Sequence, residues 1–563
     1  MAGTLHTSSS QDGLSVKAYQ GDGAVMLAFD LDEHLTQNLA GFAVQFTPPK
    51  GKPSYLLNRL NFSRGIDAST TPGQRVWTPS DQAPFQKFRW VDFPADVPDG
   101  TAQYTVSAMY FQNNGSLRKG PSVDVEVDPG FFQSGKLEMG FTRGYMSSQA
   151  YAAKFKNAPI RPAGNKTVTY NTKPFQQQYQ WLGFHARKMV FDFLNECLQD
   201  QSISVELFAY DLDEPDFIQA LVKLGPRLRA FLDDAPLHTK PGAVEPQAKA
   251  LLMKSAGAGN VKTGHFKRFA HNKVLIQKKN GKPVKVLTGS ANFSVRGLYV
   301  QANNVLIFDD PETATSYSQA FNQAFSDPSK SQAQFPKSPI AKQWFDVKDP
   351  GLPIFSVCFS PHTSDAISLS KVAQEIAMAD SSVLFAVMEL GGGGTVLQEL
   401  QKLPANSKIF SYGVTQSVTG LKLYKPGSSN GLIVPFAFLQ SKVPAPFANE
   451  TSGGVGQVIH NKFVVVDFND SEPVVFTGSS NLASGGETDN GDNLLAIYDR
   501  AVATAYAVEA IRLVDHYHFR AAMKGATKAQ PLALEPAGVQ KPWWKAYYDP
   551  KTLKNRERLL FIR

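Results

Sequence analysis

The sequence predicts an α/β fold of two equivalent halves preceded by an all-β sandwich. Three observations carry this expectation. Short β-branched runs fill residues 1–130, and no helical period interrupts them. From about residue 131, apolar strand-like runs alternate with runs of helical spacing. One 22-residue segment occurs twice, at 271–292 and at 460–481.

In the first region "AVMLAFDL", "GFAVQFTPP", "FRWVDFP", "AQYTVSAMYF" and "SVDVEVD" read as strands. Turn signals such as Asn114-Gly115 and Asp99-Gly100 separate them. The strand spacing, with the "YTVSAMYFQNNGSLRKGPS" end, resembles a fibronectin type III module over residues 1–130. Next, "ARKMVFDFLNECLQD" has apolar residues at helical spacing, and "SVELFAYDL" follows as a buried strand. "PDFIQALVKLG" then reads as a helix that opens on Pro and stops at Gly. The Ser/Pro/Lys-rich stretch 326–342 reads as a linker, which divides the remainder into 131–345 and 346–563. Beyond it "SLSKVAQEIAMAD" (helix), "SSVLFAVMEL" (strand), "GGGG" (loop) and "TVLQELQKL" (helix) repeat the earlier order.

Composition fits a folded globular chain, with 42% hydrophobic and 19% charged residues. The net charge of +8 is uneven. Residues 1–130 hold 10 Lys+Arg against 13 Asp+Glu, a net of −3, so the rest carries +11. A basic body suits an anionic partner such as phosphate, nucleic acid or an acidic membrane. Cys197 and Cys358 are far apart and give neither metal spacing nor a disulfide framework, so buried free thiols are expected. The start of the chain lacks the basic end and apolar run of a signal peptide, and no stretch approaches ~18 apolar residues. The expected location is cytoplasmic, or exported without a cleavable signal, and a monomer is expected.

The repeat carries the chemistry. "HNKVLIQKKNGKPVKVLTGSAN" and "HNKFVVVDFNDSEPVVFTGSSN" align without a gap and agree at nine of 22 positions. Each holds His, Lys two places on, and Asn 21 residues after the His: His271, Lys273 and Asn292, then His460, Lys462 and Asn481. Ser290 and Ser479 precede the Asn in the same place. His and Lys at i and i+2 share one face of a strand. Brought together by a pseudo-twofold, two lysines and two amides can hold the oxygens of a phosphodiester. One imidazole can attack phosphorus while the other protonates the leaving oxygen. The lysines supply the positive charge, so neither metal nor cofactor is expected.

"HNKFVVVD" followed by "GSSN" resembles the His-x-Lys-x4-Asp signature of the phospholipase D (PLD) superfamily, and two copies resemble its bicatalytic members over roughly residues 140–520. The resemblance implies PLD-like α/β/α halves and a covalent phosphohistidine intermediate. It also implies a largely structural role for Asp467, whose place in the first copy is taken by Lys278. Eleven residues past each motif Asn the family often has an acid followed by Asn, the acid orienting a histidine. The second copy has Asp492-Asn493 and the first Asn303-Asn304. Asp492 is therefore expected to cross to His271 and make it the nucleophile. His460, facing neutral Asn303, becomes the proton donor. Glu487 and Asp489 compete for the role of the acid.

Other features remain open at this level. "GGGG" at 391–394 suits a flexible active-site loop. His265, Lys267 and Arg268 suit a second phosphate or a solvated turn. Trp543, Trp544, Tyr547 and Tyr548 in the basic tail suit a lipid interface, base stacking or packing on the body. The favoured function is phospholipid head-group hydrolysis at a membrane surface, with nucleic acid as the alternative substrate. Phosphatidyl transfer, or binding without catalysis through a sandwich that docks a protein or glycan, completes the set.

Overall fold

The computed structural model describes residues 6–563 except 68, 71–73, 75, 95–96, 145–148, 389–392, 404–405, 407, 416–431 and 436–458. The N-terminal region is a β-sandwich of two antiparallel sheets. One runs His6–Gln11, Leu14–Gln20, Val25–Leu31, Arg89–Asp92, and the other Leu117–Val127, Ala102–Phe111, Leu39–Thr47, Ser54–Tyr55. Alternate residues of both sheets, such as Val16, Leu27, Phe42, Val44 and Val106, fill the space between them.

Two eight-stranded sheets follow, with the same strand order. The first is Gln133–Ser134, Leu137–Phe141, Asn304–Phe308, Lys282–Gly289, Val274–Lys279, Ile203–Ala209, Leu228–Asp233, Val261–Gly264. The second is Phe345–Val347, Ile354–Phe359, Asn493–Tyr498, Val474–Gly478, Lys462–Val466, Ser382–Val387, Phe410–Thr415, Leu432–Pro435. The helices correspond as well: Gln176–Gln199 with Ala366–Ala377, Pro215–Leu224 with Thr395–Lys402, and Pro311–Ser326 with Arg500–Gly525. The motif strands are apolar over 274–276 and 463–466 because both faces are covered there. Val274 and Ile276 enter the core shared by the halves, and Leu275 enters the outer core of the first half. Pro311–Ser326 and Arg500–Gly525 lie in that shared core.

Three features of the fold bear on the sequence reading. Ladder register matches Leu207 with Phe385, since they face Leu275 and Val464, so the upstream strands occupy equivalent places in the two sheets. The 326–342 stretch is packed rather than a free linker: Phe335 and Ile340 are buried, and Phe335 meets Phe266 edge-on at 5.0 Å. The aromatic tail turns into the sandwich. Trp543 donates to Leu39 O at 3.2 Å, Tyr548 OH to Leu31 O at 2.5 Å, and Tyr547 is buried 4.7 Å from Phe88. Of the three readings of the tail, these contacts match packing on the body. Among the described residues no helix is long and apolar enough to cross a membrane.

Candidate active site

The halves meet along the segments that flank the motifs. Phe269 bridges Asn490, and Ala302 bridges Ile459. Gly491 N donates to Phe269 O at 2.8 Å, and His460 N to Ala302 O at 3.2 Å. Each histidine is thereby delivered beside the other half's acid-or-amide position. Symmetry-related side chains tie the seam. Thr288 Oγ1 donates to Asn493 Oδ1 at 3.1 Å, and Asn304 Nδ2 to Thr477 Oγ1 at 3.1 Å.

The Thr-Gly-Ser turn has a steric cause in both copies. Gly289 and Gly478 have φ of +139° and +137°, and a Cβ on either would lie 2.5 Å from the carbonyl oxygen of Asn304 or Asn493. That close approach lets Ser290 N and Ser479 N donate to those same carbonyls at 3.1 Å. The serine hydroxyls in turn accept from Asn304 N and Asn493 N at 3.0 Å.

His271, Lys273, Asn292, His460 and Lys462 are all buried, and Asn481 is half-buried. His271 Nδ1 lies 2.7 Å from Asp492 Oδ1, and His460 Nδ1 lies 2.8 Å from Asn303 Oδ1. Asn303 is fixed in that orientation, because its Nδ2 donates to Gly297 O at 2.8 Å and its Oδ1 also accepts from Ser290 Oγ at 2.8 Å. With Nδ1 donating in each ring, Nε2 carries the reactive lone pair. Both lysines donate back to the carbonyl of their own histidine, Lys462 at 2.8 Å. Asn493 Nδ2 donates to Asn272 Oδ1 at 2.7 Å.

The two imidazoles differ electrostatically. Burial lowers the His271 pKa, with help from Lys273, and Asp492 opposes the shift. His460 is driven well below the ordinary histidine value by burial and by Lys462, Lys273, His271 and Arg296, and its Nδ1 faces an amide rather than a carboxylate. Burial brings Lys273 down to about 8, and burial with Lys273 pushes Lys462 well below a normal lysine. Burial works against the Asp492 carboxylate, but His271 and Lys273 outweigh it and hold its pKa below the ordinary value. Two lysines and two imidazoles are thus buried together beside the Asp492 carboxylate.

The remaining sequence candidates lie at varied distances from this centre. Asp467 caps a turn, accepting from the N–H groups of Asp380, Ser381 and Ser382 at 2.8–2.9 Å, while Lys278 pairs with buried Glu206 at 3.0 Å. Glu487 takes hydrogen bonds from Ser368 and Ser480, and Asp489 pairs with Lys267 at 2.7 Å. His265 is held by Asp234, and Arg268 by Asn490 Oδ1 and Gly485 O, so this basic segment stitches the halves together. Gly391 and Gly392 of the "GGGG" loop lie outside the described residues.

The sequence reading missed a buried network in the first half. His238 lies between Asp233 and Asp211, with Nδ1 and Nε2 at 2.7 and 2.8 Å from them, and Asp211 Oδ2 accepts from Asn292 Nδ2 at 2.7 Å. Tyr210 stands edge-on to both His238 and His271, at 4.5 and 4.7 Å. The available signal was an acid at the carboxyl ends of two parallel strands, "FAYD" and "AFLD". Asp211, His238 and Glu245 are also the residues whose ligand atoms come within 4.8 Å, the spacing a cation would need. His238 already serves the carboxylates as their cation, its pKa raised to about 10 because the two carboxylates outweigh burial.

Residues 190–325 match the family described as "Cardiolipin synthase, PLD-like domain", and this span holds the whole first motif. The matched span lies within the first half. No curated protein matches the chain. Among solved structures the chain is similar to a polyphosphate kinase from Porphyromonas gingivalis, at 11% identity over 69% of this chain and 52% of that one, TM-score 0.40. It spans about half the length of that enzyme. It is also similar to a phosphatidylserine synthase from Haemophilus influenzae Rd KW20, at 13% identity over 59% and 86%, TM-score 0.41. The phospholipase D family member Nuc from Salmonella typhimurium matches 30% of this chain with 96% of its own, at 17% identity and TM-score 0.20.

Proposed function

We propose that this protein is a phosphodiesterase of the PLD type that hydrolyses phospholipid head groups through a phosphohistidine. The observation that carries the reading is the pair of His/Lys/Asn sets meeting across one seam with unequal partners, Asp492 for His271 and Asn303 for His460. In the mechanism, Lys273, Lys462, Asn292 and Asn481 bind the phosphate oxygens. His271 Nε2 attacks phosphorus, steadied through Nδ1 by Asp492. The bond to the head-group oxygen breaks, and that oxygen takes the proton from His460 Nε2. Phosphate charge offsets the lysines that hold His460 neutral in the free site, so substrate binding itself supplies the proton donor. Water then gives a proton to His460 and attacks phosphorus, and the P–N bond breaks.

An acceptor alcohol in place of water would make the same site a transferase. A nuclease reading rests on the basic body, whose +11 charge suits a polyanion.

The deciding experiment runs in EDTA. It measures head-group release from mixed phosphatidylcholine, phosphatidylethanolamine and phosphatidylglycerol vesicles beside cleavage of single- and double-stranded DNA and RNA, with His271→Ala as control. Head-group release that disappears in the variant is expected. Nucleic-acid cleavage that disappears instead replaces lipid by nucleic acid, and activity retained in the variant refutes the histidine mechanism.

A further inference from the structure

The Asp211–His238–Asp233 chain is charged. Both ring nitrogens of His238 face carboxyl oxygens, at 2.7 and 2.8 Å, and with both acids ionised these oxygens only accept, so both nitrogens carry protons. His238 is 2% exposed and Asp233 5%, which makes this a buried cation between two anions. Each carboxylate spends its other oxygen on a strut of the candidate active site. Asp233 Oδ1 accepts from Ala270 N, next to His271, at 2.5 Å, and Asp211 Oδ2 accepts from Asn292 Nδ2 at 2.7 Å. One charged chain thus joins the two ends of the first motif.

Its effect on Asn292 is specific. An acceptor beside the amide forces the nitrogen to that side and uses one of its two N–H bonds. The second N–H remains for a ligand, and Asn292 Oδ1 is buried with no partner among the described residues. Among the described residues nothing bonds the Asn481 side chain, and its Oδ1 is likewise buried without a partner.

We propose that Asp211, anchored by His238, is a positioning residue that aims the Asn292 amide at a substrate phosphate. This rests on the phosphodiester reading for the identity of the ligand, but not on hydrolysis taking place. The clamp removes the rotation that would turn the amide oxygen toward an anion.

The test is a double-mutant cycle on the full chain, read as binding of inorganic tungstate by calorimetry, with circular dichroism confirming the fold. Asp211→Asn is expected to weaken binding about tenfold, the loss of one charge-assisted hydrogen bond. In an Asn292→Ala background it should cost nothing further, because the amide it aims is gone. His238→Gln should follow the same pattern, and it carries the cycle if Asp211→Asn does not fold. Losses that multiply, wild-type affinity in Asp211→Asn, or a wild-type protein that binds no tungstate each overturn the clamp. Hydrolysis of bis(4-nitrophenyl) phosphate is measured beside it. A protein that binds tungstate with the expected cycle but cleaves no diester refutes the hydrolase reading and leaves the clamp standing.

Discussion

At the residue scale the informative difference is one atom type, the carboxylate of Asp492 against the amide of Asn303. The Thr-Gly-Ser turns and the lysine-to-carbonyl hydrogen bonds around the two imidazoles are otherwise repeated in both copies. Asp492→Asn keeps the shape but removes the charge that opposes the lysines at His271, so the nucleophile becomes less basic. It should slow phosphohistidine formation by about 10²-fold or more, within the range of acid–base contributions, as read by rapid-quench trapping on the vesicle substrate. Adding Asn303→Asp should move part of the label to His460, and a variant that keeps the wild-type rate and label would remove Asp492 from the mechanism. The sequence made the pairing legible because a repeat exposes its own exceptions: only position 492/303 changes charge within the acid–Asn pair. His238 stayed hidden for the opposite reason. It belongs to no repeat, and its partners lie 5 and 27 residues away on strand ends that look like ordinary apolar runs.

Single elements decide how firmly these residues are held. The turn before strand Ser382–Val387 depends on Asp467, which sits at φ +53° and satisfies three N–H groups. Asp467→Ala strands those donors in a buried turn, and the loss should be about 3 kcal/mol, measured by urea denaturation. Lys278→Ala in the other copy should cost less, about 1 kcal/mol, because Glu206 keeps Arg229 and Ser318 as partners. Equal losses would contradict a structural role specific to the aspartate. Strand and helix order was readable from periodicity, since buried strands and amphipathic helices have different apolar spacing. Register was not: a one-residue slip between "LFAY" and "LFAV" leaves every residue apolar, and only the ladder decides it.

On the scale of the whole molecule, the sandwich is bound to the first half through a buried histidine. His185 Nδ1 lies 2.6 Å from Asp22 of the sandwich, and Nε2 lies 3.1 Å from Glu138 in strand Leu137–Phe141. Asp22 also accepts from Phe132 N and Phe141 N at 3.1 and 2.8 Å, and Phe131 stacks on the ring at 4.0 Å. Burial alone would lower the His185 pKa, but Asp22 and Glu138 outweigh it and raise it to about 9. A group whose folded pKa exceeds its unfolded value stabilises fully below the unfolded value of about 6.5. That contribution then fades as pH rises through the folded value. The gap between 6.5 and 9 corresponds to about 3 kcal/mol. Buried Lys17 and Lys273, each brought down to about 8, act in the opposite sense over the same range. The quantity to measure is therefore the wild-type minus His185→Gln difference in urea unfolding. It should be about 3 kcal/mol at pH 6 and shrink steadily toward pH 10. A difference that does not change with pH would mean that His185 holds the sandwich by shape alone, without its charge.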